Sequence, residues 1–561
     1  MFKGKLDKKY IIPLIHFLLT FVWERFVLIP GDYARVLFST PLTDRFSDGF
    51  EQAMCYCISK VMAGIVIFLL WKLIFDVFGG KIRRETAIVF GAIWVIGVLV
   101  TVILWPDVFE AGGDNYIPYS YAIRLMPEYW HSVYLTCLYV ASLMVFPHAV
   151  SINILLMTAF VVAVGYLYNR IAVSPAFESV RWVRFLTLLL FVLRDTFTVS
   201  TNPERAEYNA SFTLLFISII LMDMIEGKKR NKGEFTALLV FAAFLAKFRS
   251  EGIIVAVLGF AALVIVVYKP RIMQGVALLA AFGVLFVAFS YPIKVGDIKY
   301  YGSDYSIVNA FNPLHNILCC ETANLSYEGA AEDLAAIDAV TPIELIKEFS
   351  SEGYRRHNYA AGRADINQSM AGEEASKAFK LAYYSIVAHN LGIYLKTQVH
   401  MLLQAIGTGD EGYVEAYKGE PTGMPMFGSE LWEVGRQDWQ TVPGRYIWTG
   451  SGIRNSVAVA ITVPRLKYVD LLTETKIYSA WIVIEFILGA VLVIGAIVGL
   501  TKKKYDYLAP GIMALILDGY VVLLALVMPV GANMYFHAFI YAMAAVLTVS
   551  LAIKRLKQAK K

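Results

Sequence analysis

The chain has 561 residues, of which 58% are hydrophobic and only 17% charged, and a formal net charge of +5. Soluble domains average about 45–50% apolar and about 25% charged. The mean hydropathy of +0.58 therefore excludes an ordinary water-soluble enzyme and predicts an all-α polytopic membrane protein. The basic residues fall in short clusters between apolar runs rather than on one patch, so no nucleic-acid partner is expected.

The first apolar run, 10–29, follows a basic start and has no small-residue cleavage site after it, so it reads as a retained helix. Further apolar runs occupy 54–78, 85–105, 133–147, 149–169, 184–200, 208–226, 235–248, 252–268 and 273–292, then 478–500, 508–529 and 534–553. Lys and Arg cluster at 3–9, 79–84, 181–184, 226–234, 269–271, 501–505 and 554–561. Basic loops stay in the cytoplasm, and all seven do so if twelve of the thirteen runs cross. The exception is 133–147, a short run broken by Pro147 and His148, read as half-inserted from outside. The expectation is a multi-pass plasma-membrane protein of about twelve transmembrane helices, with both termini cytoplasmic.

Four regions follow: a transmembrane pair at 1–84, a core at 85–292, an extracytoplasmic region of mixed or irregular structure at 293–477, and closing helices at 478–561. Within the third, residues 378–406 carry apolar positions at spacings of three and four, as one interfacial or domain-packing helix would. The five cysteines make no metal-ligand spacing with histidine, and the adjacent Cys319 and Cys320 read as structural or incidental. Without a phosphate loop or GxGxxG turn, a cytoplasmic nucleotide-using enzyme is disfavoured.

The stretch WPDVFEAGGDNYIPYSYAIRLMPEYWH, 105–131, brings Asp107, Glu110 and Asp114 outside the membrane directly after an apolar run. A solvated loop would explain three acids. Against it, Trp105-Pro106 make a rigid exit, and Gly112-Gly113 allow the backbone to turn Asp114 back toward the membrane. Tyr116, Tyr119, Tyr121, Tyr129 and Trp130 then supply an aromatic lining, or an ordinary interfacial belt.

WPDVFEAGGDN in a first long outer loop, with His131 seventeen residues after Asp114, resembles the GT-C class of membrane glycosyltransferases, in particular bacterial relatives of the protein-mannosyltransferase type. The resemblance covers about 85–292 in pattern and the remainder in layout. It implies that an acid of this loop is the catalytic base. Asp114 matches best. Because Asp107 and Ser132 stand where relatives often carry Gly and Pro, Asp107 stays open as the alternative. It also implies a polyprenyl-phosphate sugar donor in the membrane lipid, and a cell-envelope glycan, lipid or protein acceptor. One carboxylate suffices for such chemistry, because phosphate leaves without a general acid, and a single displacement inverts the anomeric carbon.

Phosphate leaving at a membrane edge needs cations. Arg249 and Lys247 in LAKFRSEGII are candidates, as are His131 and Arg205; snorkelling side chains and a structural histidine are the plain alternatives. Glu204 and Glu207, beside Arg205, could hold Mg²⁺ or Mn²⁺ or be solvated. Arg194 and Asp195, inside a run, are expected to pair. Two other readings compete. A lipid-linked glycan polymerase or ligase of another fold usually relies on arginines and a histidine in late loops. A transporter or flippase would show two matching halves, which this chain lacks.

Overall fold

Three helices are long and apolar enough to cross a membrane, Phe50–Phe78, Ser151–Val173 and Met273–Ile293. At about 1.5 Å per residue, the second reaches about 35 Å, enough for a hydrocarbon layer of about 30 Å. Only 11% and 6% of the first and third lie inside the protein, against 67% of the second. The outer pair present Ile65, Leu69, Val276, Leu279 and Val287 outward. Such continuous apolar surface is out of place in water and at home in lipid. The protein is an α-helical membrane protein built around a central helix.

The computed structural model describes residues 8–26, 50–104, 132–147, 150–188, 205–249, 252–268, 272–296, 310–348, 373–405 and the short helix Gly489–Val498, with isolated residues at 118–125 and 487–515. No strand occurs among them. The bundle comprises α1 (Lys8–Phe26), α2 (Phe50–Phe78), α3 (Arg84–Leu104), the short α4 (Val133–Val145) and the central α5 (Ser151–Val173). A 3₁₀ stretch, Pro175–Leu188, comes next. After it come α6 (Arg205–Glu226), α7 (Lys232–Phe248), α8 (Gly252–Leu263, with a π turn to Tyr268) and α9 (Ile272–Gly296).

Hydrogen bonds fix how these helices run. Trp94 Nε1 donates to Thr158 Oγ1 at 2.9 Å and Tyr168 Oη to Glu85 Oε1 at 2.5 Å, so α3 lies antiparallel to α5. Tyr208 Oη donates to the Ile152 carbonyl at 2.6 Å, while Arg170 Nη2 meets Glu226 Oε2 at 2.5 Å. Both pairs are 56 residues apart, so α5 and α6 are parallel. Residues 174 and 205 thus lie at opposite ends of the pair. The two ends are named below for Arg230 and Arg249.

With 13 residues and about 20 Å of length, α4 is too short to cross, and it is buried from Val133 to Met144. Its Cys137 Sγ lies 3.8 Å from Cys55 Sγ of α2, and His16 of α1 meets the Val145 carbonyl at 3.1 Å.

A second group has its own core, made by Leu314, Ile317, Ile337, Ile346, Phe379 and Ile386. It comprises α10 (Phe311–Leu318), α11 (Ala330–Asp338), α12 (Ile343–Glu348), α13 (Glu373–His389) and α14 (Leu391–Ala405). The single helix expected across 378–406 is two helices. The break falls at Asn390, whose side chain ties the junction to a neighbouring segment: Oδ1 accepts from the Asn324 backbone N–H at 2.7 Å, and Nδ2 donates to the Asn324 carbonyl at 3.0 Å and the Ile386 carbonyl at 2.9 Å. The described parts of 293–477 are helices joined by turns and an irregular stretch at 319–329.

Candidate functional site

Buried polar groups stand at both ends of the bundle, and the ends differ. At the Arg230 end the fully buried Asp223 pairs with Arg230 and lies 3.6 Å from Arg170, which also binds Glu226. Tyr166 Oη accepts from Arg170 and Arg230, at 3.2 and 3.3 Å, and the Arg230 backbone N–H donates to Tyr268 Oη at 2.9 Å. Burial works against the charge of Arg230, but the hydrogen bond and charge of Asp223 outweigh it and raise its pKa. Beside this cluster, Arg184 Nη2 meets Glu85 at 3.2 Å. These charges come from five segments and satisfy one another, as buried ions must. Sequence reasoning did not find this network; only the pairing of α5 with α6 brings Arg170 to Asp223.

The Arg249 end is built differently. Gly252 closes the turn between α7 and α8. A Cβ there would stand 2.4 Å from the Leu245 carbonyl, so only glycine lets the turn close, and its N–H donates to the Arg249 carbonyl at 2.9 Å. This turn holds Arg249 buried, 7% exposed, next to Phe248, which packs against Phe212 and Phe244 and belongs to the same buried cluster as Ile152 and Tyr208. Lys247 Nζ sits 3.6 Å from the centre of the Phe286 ring, so its charge already rests on an aromatic face. The hydroxyls of Ser151 and Thr213 and both amide atoms of Asn153 are buried without a hydrogen-bond partner. An orphaned buried polar group costs about 1–3 kcal/mol, so these groups weaken the bundle where they stand.

The acidic stretch is tied to this end at both of its described flanks. Leu104 ends α3 beside the start of α5, and Ser132 opens α4, which packs in one cluster with Ile152 and Phe248. Ala122 and Leu125 are buried in the same cluster, so the stretch returns onto the bundle. Among the described residues only Leu125 and Ser132 combine a side chain with positive φ, at 55° and 116°. Strained backbone of this kind gathers at functional sites.

Of the residues singled out in the sequence, Arg249 and Lys247 stand at this end. Asp107, Asp114, Glu110, His131, Arg194, Asp195 and Glu204 lie outside the described residues, as do the side chains of Arg205 and Glu207, whose backbone begins α6. Among the described residues, no three His, Cys, Asp or Glu side chains stand together as a metal site. Ser151, Asn153 and Thr213 were not singled out, although a polar pair opening an apolar run was a visible signal. No family model, curated protein or solved structure matches the chain.

Proposed function

We propose that this protein is a GT-C-type glycosyltransferase that moves a sugar from a polyprenyl phosphate to a hydroxyl acceptor outside the cytoplasm. One observation carries the reading: both flanks of the acidic stretch, Leu104 and Ser132, lie at the end of the bundle that holds buried Arg249 and the orphaned polar groups. The opposite end gathers the basic segments 79–84, 181–184 and 227–234. By the preference of basic loops for the cytoplasm, the Arg249 end faces outward. Twelve crossings with both termini inside complete this topology.

The chemistry follows from the parts. The acceptor oxygen attacks the anomeric carbon and gives its proton to the Asp114 carboxylate, with Asp107 as the alternative base. The bond from that carbon to the phosphate oxygen breaks, its electron pair leaves on polyprenyl phosphate, and the carbon inverts. Arg249 offsets the charge that develops on the leaving phosphate. Lys247 would first have to leave Phe286, so it ranks behind Arg249. The test is transfer from radiolabelled polyprenyl-phosphate sugars to candidate acceptors, comparing wild type with Asp114→Asn and Asp107→Asn. One of these variants should lose transfer while keeping its folding. Full turnover by both rejects the reading, and movement of intact lipid-linked sugar across vesicles without transfer would favour a flippase.

A further inference from the structure

Helices α13 and α14 are apolar on two opposite sides. One side faces the core of their own group: Phe379, Ala382 and Ile386 are buried there, followed by Asn390 and Thr397. The other side carries Leu381, Tyr384, Leu391, Leu395 and Val399, each more than half exposed. At about 100° per residue the two sets fall on opposite sides of a helix. The spacing of three and four also runs through the junction. The Asn390 N–H donates to the Val387 carbonyl at 3.1 Å and the Tyr394 N–H to the Asn390 carbonyl at 3.0 Å, so α14 resumes within one residue. This polarity is the reverse of what water selects, since an amide and a hydroxyl are buried while large apolar side chains are exposed. Charge follows the same stripe. Between Glu374 and Asp410 the chain has no carboxylate and three lysines, Lys377, Lys380 and Lys396. Lys377 heads the exposed stripe, and Lys380 and Lys396 fall on its two edges. The group is also tied to the membrane. The stretch 297–310, between Gly296 at the end of lipid-facing α9 and Phe311 at the start of α10, can span at most about 50 Å.

We propose that the exposed face of α13 and α14 is a membrane-docking surface that rests on anionic phospholipid headgroups of the chain's own bilayer. The leucines, Tyr384 and Val399 enter the boundary between headgroups and acyl chains, as the apolar face of an interfacial helix does. The lysine stems extend along that boundary and their ammonium groups reach lipid phosphates. With no carboxylate on the stripe, nothing there opposes a negative surface. A second copy of this chain fits the face less well, because a two-fold contact would set the same lysines against one another. The proposal requires only that the chain spans a membrane, and so stands apart from the chemistry proposed above.

The experiment attaches a nitroxide at Leu381→Cys, Leu395→Cys or Val399→Cys, one at a time, in the full-length protein. The solvent-accessible thiols Cys57, Cys319 and Cys320 are first replaced by serine. Each protein is held as a single copy in a nanodisc of phosphatidylcholine, alone or mixed with phosphatidylglycerol. Collision rates are then measured with oxygen, which prefers lipid, and with a water-soluble nickel chelate. A label at Glu332→Cys is the aqueous control, because Glu332 is exposed on α11, which shares a core with the buried side of α13. The oxygen-to-nickel ratio should be severalfold higher at the three docking positions than at position 332, and should rise further with phosphatidylglycerol. Lys377→Glu, Lys380→Glu and Lys396→Glu together should abolish that further rise. They should leave the mobility spectrum at position 332 unchanged, the sign that the group remains folded. Ratios at all three positions equal to that of the control, in both lipids, overturn the proposal. Lipid-like ratios that arise only when two copies share a vesicle assign the face to self-association and overturn it as well. A rise with phosphatidylglycerol that survives the triple reversal overturns the role of the lysines.

Discussion

The two ends of the bundle contain similar amounts of buried polarity and use it in opposite ways. At the Arg230 end, Asp223, Glu226, Arg170, Arg230 and Tyr166 answer one another within about one helical turn. At the Arg249 end, the side chains of Ser151 and Asn153 have no partners although they are equally buried. A closed network clamps helices together and has nothing left to offer a ligand. Groups left unsatisfied lower stability and leave an end less tightly held. The contrast teaches where to look for function: at the end that is incomplete.

Five substitutions break or sharpen this contrast, in descending order of expected effect. Asp114→Asn should lower sugar transfer by about 10²–10⁴-fold, the usual worth of a general base, with no change in the unfolding midpoint. Retained turnover there, with loss in Asp107→Asn, would move the base to Asp107. Asp223→Ala should leave Arg170 and Arg230 buried without a counter-charge and cost about 3–5 kcal/mol in detergent unfolding. Restoring neutrality with Asp223→Asn and Arg230→Gln together should recover part of that loss. A wild-type-like Asp223→Ala would show that the clamp is not one.

Gly252→Ala drives a methyl against the Leu245 carbonyl and should cost about 1–3 kcal/mol, loosening Arg249 and transfer with it. Asn153→Leu should stabilise the unliganded protein by about 1–3 kcal/mol, read as a higher midpoint. The same change at a satisfied position would destabilise. Last, Asp76→Asn removes an ion pair with Lys72, 57% exposed, and Lys81, 74% exposed. Surface pairs contribute about 0–1 kcal/mol and fade in salt, so the shift should be small and vanish at high ionic strength. A large effect there would mean that burial is not what separates strong pairs from weak ones.

Much of the architecture was legible in the sequence. The apolar runs at 54–78, 85–105 and 273–292 lie within a few residues of α2, α3 and α9, because a lipid-facing helix must be apolar along its whole length. The run at 133–147 was visibly too short, and α4 has 13 residues. Residues 378–406 misled, since apolar spacing cannot show that the Asn390 side chain bridges the Asn324 backbone and the Ile386 carbonyl. In the site, Arg249 was legible as a cation between two apolar runs. Its burial was not, because that depends on Gly252 closing a turn against Leu245. The Arg170–Asp223–Arg230 clamp was invisible, since its members lie on separate elements and meet only through the 56-residue offset of α5 and α6.

The sequence by itself determined that this chain lives in a membrane, that its regular structure is helical, and where its acids and cations punctuate the apolar runs. Bilayer solvation imposes those properties on composition and segment length one helix at a time. Only tertiary structure decided which end is closed and which is open. That depends on which helices lie parallel, and whether a buried donor finds an acceptor is a property of neighbours, never of a single segment.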